Sequence, residues 1–203
     1  NKETNTQVIK YFKGIQKENI EGINNLTPSY NKLIISFDLR KKNFEDLKKQ
    51  IENLEIDESE SLKNKRVKVP VCSDESFSLD IKRLEEKLKI KRDAIYEKFF
   101  NKEFFCYMTG FIAGMPFLGD LDKGMRVKRL ETPRVKVPKG SIGLTEQFAN
   151  IYTFESPGGW NIIGNTPLNI FDSAKELEPN LINPGDTVIF NEISMNEYKN
   201  FYD

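Results

Sequence analysis

Beyond Glu103 the chain breaks into short β-like runs separated by Gly and Pro: Phe104–Met108, Gly110–Gly119, Val135–Leu144, Ile151–Phe154, Asn161–Ile163, Leu168–Phe171 and Thr187–Phe190. Strands at this spacing predict a closed or nearly closed β-barrel. Pro184-Gly185-Asp186 is a turn placed immediately before the last run. Ahead of these strands, Phe77, Ile81, Leu84 and Leu88 mark an amphipathic helix, and a shorter helix is expected over 92–100.

The N-terminal part has a different rhythm. Val8, Ile9, Phe12 and Ile15 share one face of a helix over 6–18, with Thr4 and Gln7 as its capping box. Ile20–Leu26 reads as a weak strand and Leu33–Phe37 as a stronger one. Phe44, Leu47, Ile51 and Leu54 repeat the helical spacing over 43–54, with Asn43 as N-cap. The acidic, polar run Glu55–Ser61 suits an exposed connection. Val67, Val69 and Val71 then alternate in a half-buried strand. Helix, strand, strand, helix, strand predicts an α+β domain over residues 1–70, a ferredoxin-like unit lacking its first strand. Residues 71–203 form the barrel domain.

Composition narrows the chemistry. The 203 residues hold 31 Lys plus Arg against 31 Asp plus Glu, so no net charge argues for nucleic acid. No apolar run approaches the roughly 18 residues that span a bilayer, and no signal peptide is visible at Asn1. Two cysteines, Cys72 and Cys106, make no disulfide framework; a reducing cytoplasm is expected, with both thiols buried among apolar neighbours. The chain contains no histidine. That excludes a histidine base, a Ser-His-Asp triad, a Cys-His pair and a His-ligated zinc within it. There is also no Walker-type phosphate loop and no nucleophile-elbow motif.

Three segments remain as candidates for binding. Gly110–Gly119 holds three glycines among apolar residues, either an anion-binding loop or a packed barrel corner. Lys123–Lys139 is basic, with Arg129 and Arg134 able to clamp a carboxylate or phosphate. Its alternation with Val around Arg134 equally fits a strand with one wet face. Ser156-Pro157-Gly158-Gly159-Trp160 places the one tryptophan directly after a tight loop. It reads as a small-ligand corner or as a turn whose Trp plugs the barrel end.

These segments occur in the order and spacing of the family of the 5-oxoprolinase B subunit, also described as allophanate hydrolase subunit 1 or a sporulation kinase inhibitor. Gly110-Phe111 with Gly114, Pro116, Phe117, Leu118 and Gly119 resembles the family's GFxPGFxYLG loop. Arg129–Arg134 followed by Val137–Ser141 resembles PRxxxPRxxVPAGS. Ser156–Trp160, Ile163-Gly164, Thr166-Pro167 and Phe171-Asp172 resemble SPGGWxLIGRTPxxLFD, and Pro184–Phe190 resembles PGDxVRF. Upstream, Thr27–Tyr30 and Ser36–Asp38 resemble the strand-turn-strand of the N-terminal domain.

The resemblance implies a cyclophilin-like barrel behind a small α+β domain. It implies action with partners, the C and A subunits of 5-oxoprolinase, which together with the B subunit open 5-oxoproline to glutamate with ATP hydrolysis. ATP thus belongs to the complex, and no metal site is expected in this chain. A small carboxylate-bearing lactam is the expected ligand, with Arg129, Arg134, Ser141, Ser156, Gly158, Gly159, Trp160 and Thr166 as its candidate contacts and no catalytic residue assigned. A histidine-kinase inhibitor or an accessory subunit of a urea carboxylase system is the alternative. The chain departs from the pattern at Ala113, Met115, Lys128, Asn165 and Phe99, the last standing where a family histidine usually sits. Phe148-Ala149-Asn150 replaces the family's Gln-Thr-Gly. These changes are expected to remove polar groups from ligand-facing loops.

Overall fold

The structure, a computed structural model, describes residues 1–55, 64–175 and 178–202. It divides into two compact units, Asn1–Asn64 and Lys65–Asp203. In the first unit, helix α1 (Lys2–Glu18) lies against the antiparallel strands β1 (Ile23–Pro28) and β2 (Leu33–Phe37), and helix α2 (Phe44–Glu52) follows. Ile15, Ile20 and Leu47 form the buried centre, with Leu33, Ile35 and Phe37 packing on it from β2. The Asn43 side chain caps α2 by accepting from the Asp46 N–H at 2.9 Å. Helix α1 begins earlier than the apolar spacing indicates. Its cap is Asn1, which accepts from the Thr4 N–H at 2.8 Å, so Thr4 lies inside the first turn and forms no capping box with Gln7. Buried Asn5 ties α1 to the hairpin turn by donating to the Tyr30 carbonyl at 2.7 Å. Most of the acidic connection Glu55–Ser61 lies outside the described residues.

The second unit opens with strand β3 (Arg66–Cys72), and here the expected domain boundary at residue 70 moves to 64. Local alternation identifies β3 as a strand but not its partner. That partner is β11 (Thr187–Ile193), parallel to it from Arg66 opposite Thr187 to Cys72 opposite Ile193. β3 is therefore a barrel strand, which leaves the sheet of the N-terminal unit with two strands among the described residues, without the third strand of the expected ferredoxin-like unit.

Helices α3 (Ile81–Leu88) and α4 (Arg92–Phe100) come next. Then follow β4 (Glu103–Thr109), β5 (Pro116–Gly119), β6 (Arg134–Val137), β7 (Ser141–Thr145), β8 (Phe148–Ile151), β9 (Ser156–Gly158) and β10 (Asn161–Asn165). Seven strands close a barrel in the order β10-β3-β11-β4-β5-β8-β7, as the spacing of the short runs predicts. Helix α5 (Met195–Lys199) follows β11. Leu168–Phe171 is not a strand, since Phe171 makes only an isolated bridge to Asn180.

The barrel is filled by alternate residues. Ile142 and Leu144 of β7, Ala149 and Ile151 of β8, and Val188 and Phe190 of β11 face one core with Leu84, Ile95 and Phe99 of the two helices. Phe99 stacks on Phe190 with ring centroids 4.8 Å apart, so the position expected of a family histidine is a core aromatic here. Cys72 and Cys106 are buried and free. Burial pushes both thiols above their ordinary range, which suppresses the reactive thiolate. Native protein is expected to resist a thiol reagent such as DTNB over minutes, while unfolded protein reacts at both cysteines. Rapid labelling without loss of structure would contradict this placement.

Candidate functional site

The remaining alternate residues of the barrel sheet face outward, and one stretch of that outer face is covered by a flap. Strands β6 and β9 pair only with each other, Arg134 opposite Gly158 and Val137 opposite Ser156. Ser156–Gly158 is therefore extended rather than the tight loop that its Pro-Gly-Gly sequence predicts. Between flap and sheet sits a second, smaller core of Met115, Val137, Tyr152 and Ile162, with Ile112 and Phe117 against it.

This layer opens into a cavity of about 610 Å3, within the size range of small-molecule sites. Its walls draw on all three segments singled out in the sequence: Phe111, Met115 and Phe117 from the Gly-rich loop and β5, Arg129 and Pro133 from the basic stretch, and Pro157–Trp160. Trp160 and Phe117 meet edge to face, with centroids 5.6 Å apart. Phe111 has a φ of 68° and is 82% exposed, an unusual backbone for a bulky residue that sets its ring at the mouth.

The eight expected contacts separate into two groups. Arg129, Gly158, Gly159 and Trp160 line the cavity. The Arg129 guanidinium lies along Gly159, where a Cβ would sit 3.1 Å from Nε, and it makes no ion pair among the described residues. Arg134, Ser141, Ser156 and Thr166 do not line it. Arg134 instead grips Asp80 with its two terminal guanidinium nitrogens, at 2.9 and 2.7 Å. Asp80 also accepts from the Ile162 N–H at 2.7 Å, so this pair joins the flap to the start of α3 and to β10. Ser141 and Thr166 are buried at the Asn165 end of the β7–β10 pair. The Ser156 hydroxyl donates to the Phe154 carbonyl at 3.3 Å.

Asn150, Tyr152 and Glu146 line the cavity without having been singled out as contacts. The signal for two of them lies in the register: Phe148 and Asn150 alternate with the core residues Ala149 and Ile151, and Tyr152 continues the outward series. Burial pushes the Tyr152 hydroxyl above its ordinary pKa, while the Trp160 backbone N–H, the Asn150 side chain and the charges of Arg129 and Arg134 pull the other way. The phenol stays protonated at neutral pH and serves as a hydrogen-bond donor. Asn150 is 1% exposed and sends Nδ2 toward the Met115 sulfur at 3.5 Å; its Oδ1 has no hydrogen-bond partner. The Asn in Phe148-Ala149-Asn150 thus adds a polar group to the cavity, contrary to the expected loss. The arrangement offers an exposed cation at the mouth, aromatic and thioether walls, and amide and phenol groups within. Its lining among the described residues includes Thr145, Glu146 and Tyr152 but no Cys, Ser, Lys or Asp. Among the described residues there is no metal-ligand cluster, and no helix is long and apolar enough to cross a membrane.

Known proteins share this architecture. The family model described as carboxyltransferase domain, subdomain C and D, matches residues 1–182. The B subunit of 5-oxoprolinase from Bacillus subtilis (strain 168) is 30% identical over 196 residues, covering 91% of this chain and 81% of that protein. The urea amidolyase of Saccharomyces cerevisiae is 23% identical over 210 residues, covering 89% of this chain but 11% of that protein. Among solved structures, TTHA0988 superimposes with a TM-score of 0.86 at 25% identity, over 96% of this chain and 38% of that one. The chain belongs to the family of the 5-oxoprolinase B subunit, within the carboxyltransferase-domain group of subdomains C and D.

Proposed function

We propose that this chain is the B-type subunit of an ATP-dependent 5-oxoprolinase, binding the lactam in the outer-face cavity while partner subunits of the C and A types complete the reaction. The observation that carries this reading is a cavity equipped to bind but not to react. Arg129 at the mouth suits the carboxylate of 5-oxoproline, the Phe117 and Trp160 rings suit the small ring, and Tyr152 can donate to the lactam carbonyl. Lining groups that ionise are limited to Arg129, Glu146 and the protonated Tyr152. One arginine beside apolar walls does not fit a triphosphate, whose charge calls for several cations or a metal. In this reading ATP is therefore bound by the partner subunits.

Co-expression with the C-type and A-type partners tests the proposal. ATP-dependent formation of glutamate from 5-oxoproline is expected from the three-subunit mixture, with this chain required. Arg129→Ala is expected to raise KM about tenfold through loss of an exposed charge-assisted bond while changing kcat less. No turnover with both partners present would end this reading. The urea amidolyase relative supports a second one, an accessory domain of a urea carboxylase system. Turnover of urea rather than 5-oxoproline by a reconstituted carboxylase would favour it.

A further inference from the structure

The carbonyl of Asn150 is a buried polar atom of the cavity wall that no group among the described residues satisfies. Asn150 sits on the outward face of β8, with Gly143 of β7 opposite it on one side and Phe117 of β5 on the other. Gly143 is what admits the amide. A Cβ there would run into Asn150 Oδ1, and it would also lie 3.0 Å from Trp160 Cβ. The orientation of the amide follows from its neighbour, because the Met115 sulfur accepts but cannot donate, so Nδ2 faces it and Oδ1 faces away. No donor, the Tyr152 hydroxyl included, reaches Oδ1. Buried carbonyls left in this state are uncommon and unfavourable, since water no longer satisfies them.

We infer that Asn150 is the specificity-determining residue of this cavity, its Oδ1 accepting a hydrogen bond from the ring N–H of a carboxylate-bearing cyclic amide. The inference rests on the proposed function for the identity of the ligand and adds which of its atoms is read. The bond from Nδ2 to sulfur is weak, and the Tyr152 phenol that also neighbours the amide can rotate with it, so on turning toward the cavity the amide gains a full N–H···O bond. Ligand polarity matches the placement of the groups: the exposed Arg129 takes the carboxylate at the mouth, and the buried Asn150 takes the N–H beneath Trp160.

The test compares 5-oxoproline with its oxygen analogue, the five-membered lactone carboxylate, which keeps the shape and the anion but has no N–H. Affinities are measured by calorimetry on the full chain, without partners. The lactone is expected to bind at least about tenfold more weakly, because it leaves Oδ1 unpaired. Asn150→Ala is expected to weaken 5-oxoproline binding while leaving the lactone almost unchanged, bringing the two affinities together. Asn150→Leu, close to Asn in volume and without an acceptor, serves the same purpose if the alanine variant folds poorly, as judged by circular dichroism. Equal binding of lactam and lactone by the native chain overturns the inference, as does discrimination that survives both substitutions, or failure of the native chain to bind either compound. Turnover by the assembled complex is scored separately. Turnover without lactam discrimination sinks the role of Asn150 and leaves the proposed function standing; discrimination without turnover does the reverse.

Discussion

Replacing Arg134 with alanine is expected to lower the melting temperature by roughly 10 °C while leaving ligand affinity within about twofold where the variant is folded. The Asp80 side chain is 5% exposed and that of Arg134 28%, so the pair is mostly withdrawn from water. Deleting one member of such a pair strands the other, at a typical cost of about 3–5 kcal/mol. The partial exposure of Arg134 places this case toward the low end. Arg134→Lys keeps the charge but loses the two-pronged geometry and should fall between native and alanine. Asp80→Asn can still accept from the Ile162 N–H, so it should cost less than Asp80→Ala, which leaves that buried N–H unpaired. Thermal unfolding of the four variants checks the order. An unchanged melting temperature in Arg134→Ala, together with lost ligand binding, would return Arg134 to the cavity and remove its structural role.

Arg134 also illustrates what the amino-acid sequence can and cannot convey. Charge alternating with Val around Arg134 correctly announces a strand, but nothing local reveals that Asp80 waits at the start of a helix 54 residues upstream. The same holds for Arg66–Cys72. Its alternation is legible, whereas its parallel partner at Thr187–Ile193 lies far downstream and is a matter of barrel closure that no local pattern encodes. Strands buried on alternate residues, such as Ile142 and Leu144, were legible because their period is local. Ser156–Gly158 carries the local signal of a turn in its Pro and Gly, and only pairing with β6 extends it. Helix α5 carried a usable local signal that hydrophobic spacing alone does not catch. Ser194 and Glu197 have capping-box spacing, and both reciprocal hydrogen bonds are present. In the cavity, composition marked the three segments but could not show that the outward series of β8, Asn150 with Tyr152 beyond it, would complete the wall that they begin.

Gly158 is where fold and site constrain each other most closely, and Gly158→Ala is expected to damage both. A Cβ at this position would run into Tyr152 Oη and would lie 2.8 Å from Cε1 and Cζ of the same ring. The ring cannot back away, because its backbone is held on both sides: the Tyr152 N–H donates to the Ser141 carbonyl at 2.9 Å and the Tyr152 carbonyl accepts from the Gly140 N–H at 2.7 Å. The remaining route is for the flap to lift, which opens the wall formed by Pro157–Trp160 and pulls on the Arg134–Asp80 pair through the β6–β9 pairing. Overpacking of this kind costs about 1–3 kcal/mol, and displacement of the wall should weaken 5-oxoproline binding by about tenfold or more. Tyr152→Phe removes the nearest atom in the clash but not the two ring carbons. The double variant Gly158→Ala/Tyr152→Phe should therefore recover part of the stability that Gly158→Ala loses, giving a non-additive cycle. Gly124→Ala is the control: a Cβ there meets nothing within 4 Å, and its melting temperature should match that of the native chain. If Gly158→Ala melts with the native chain, or the cycle is additive, the flap does not rest on Tyr152, and the cavity wall must be held by other contacts.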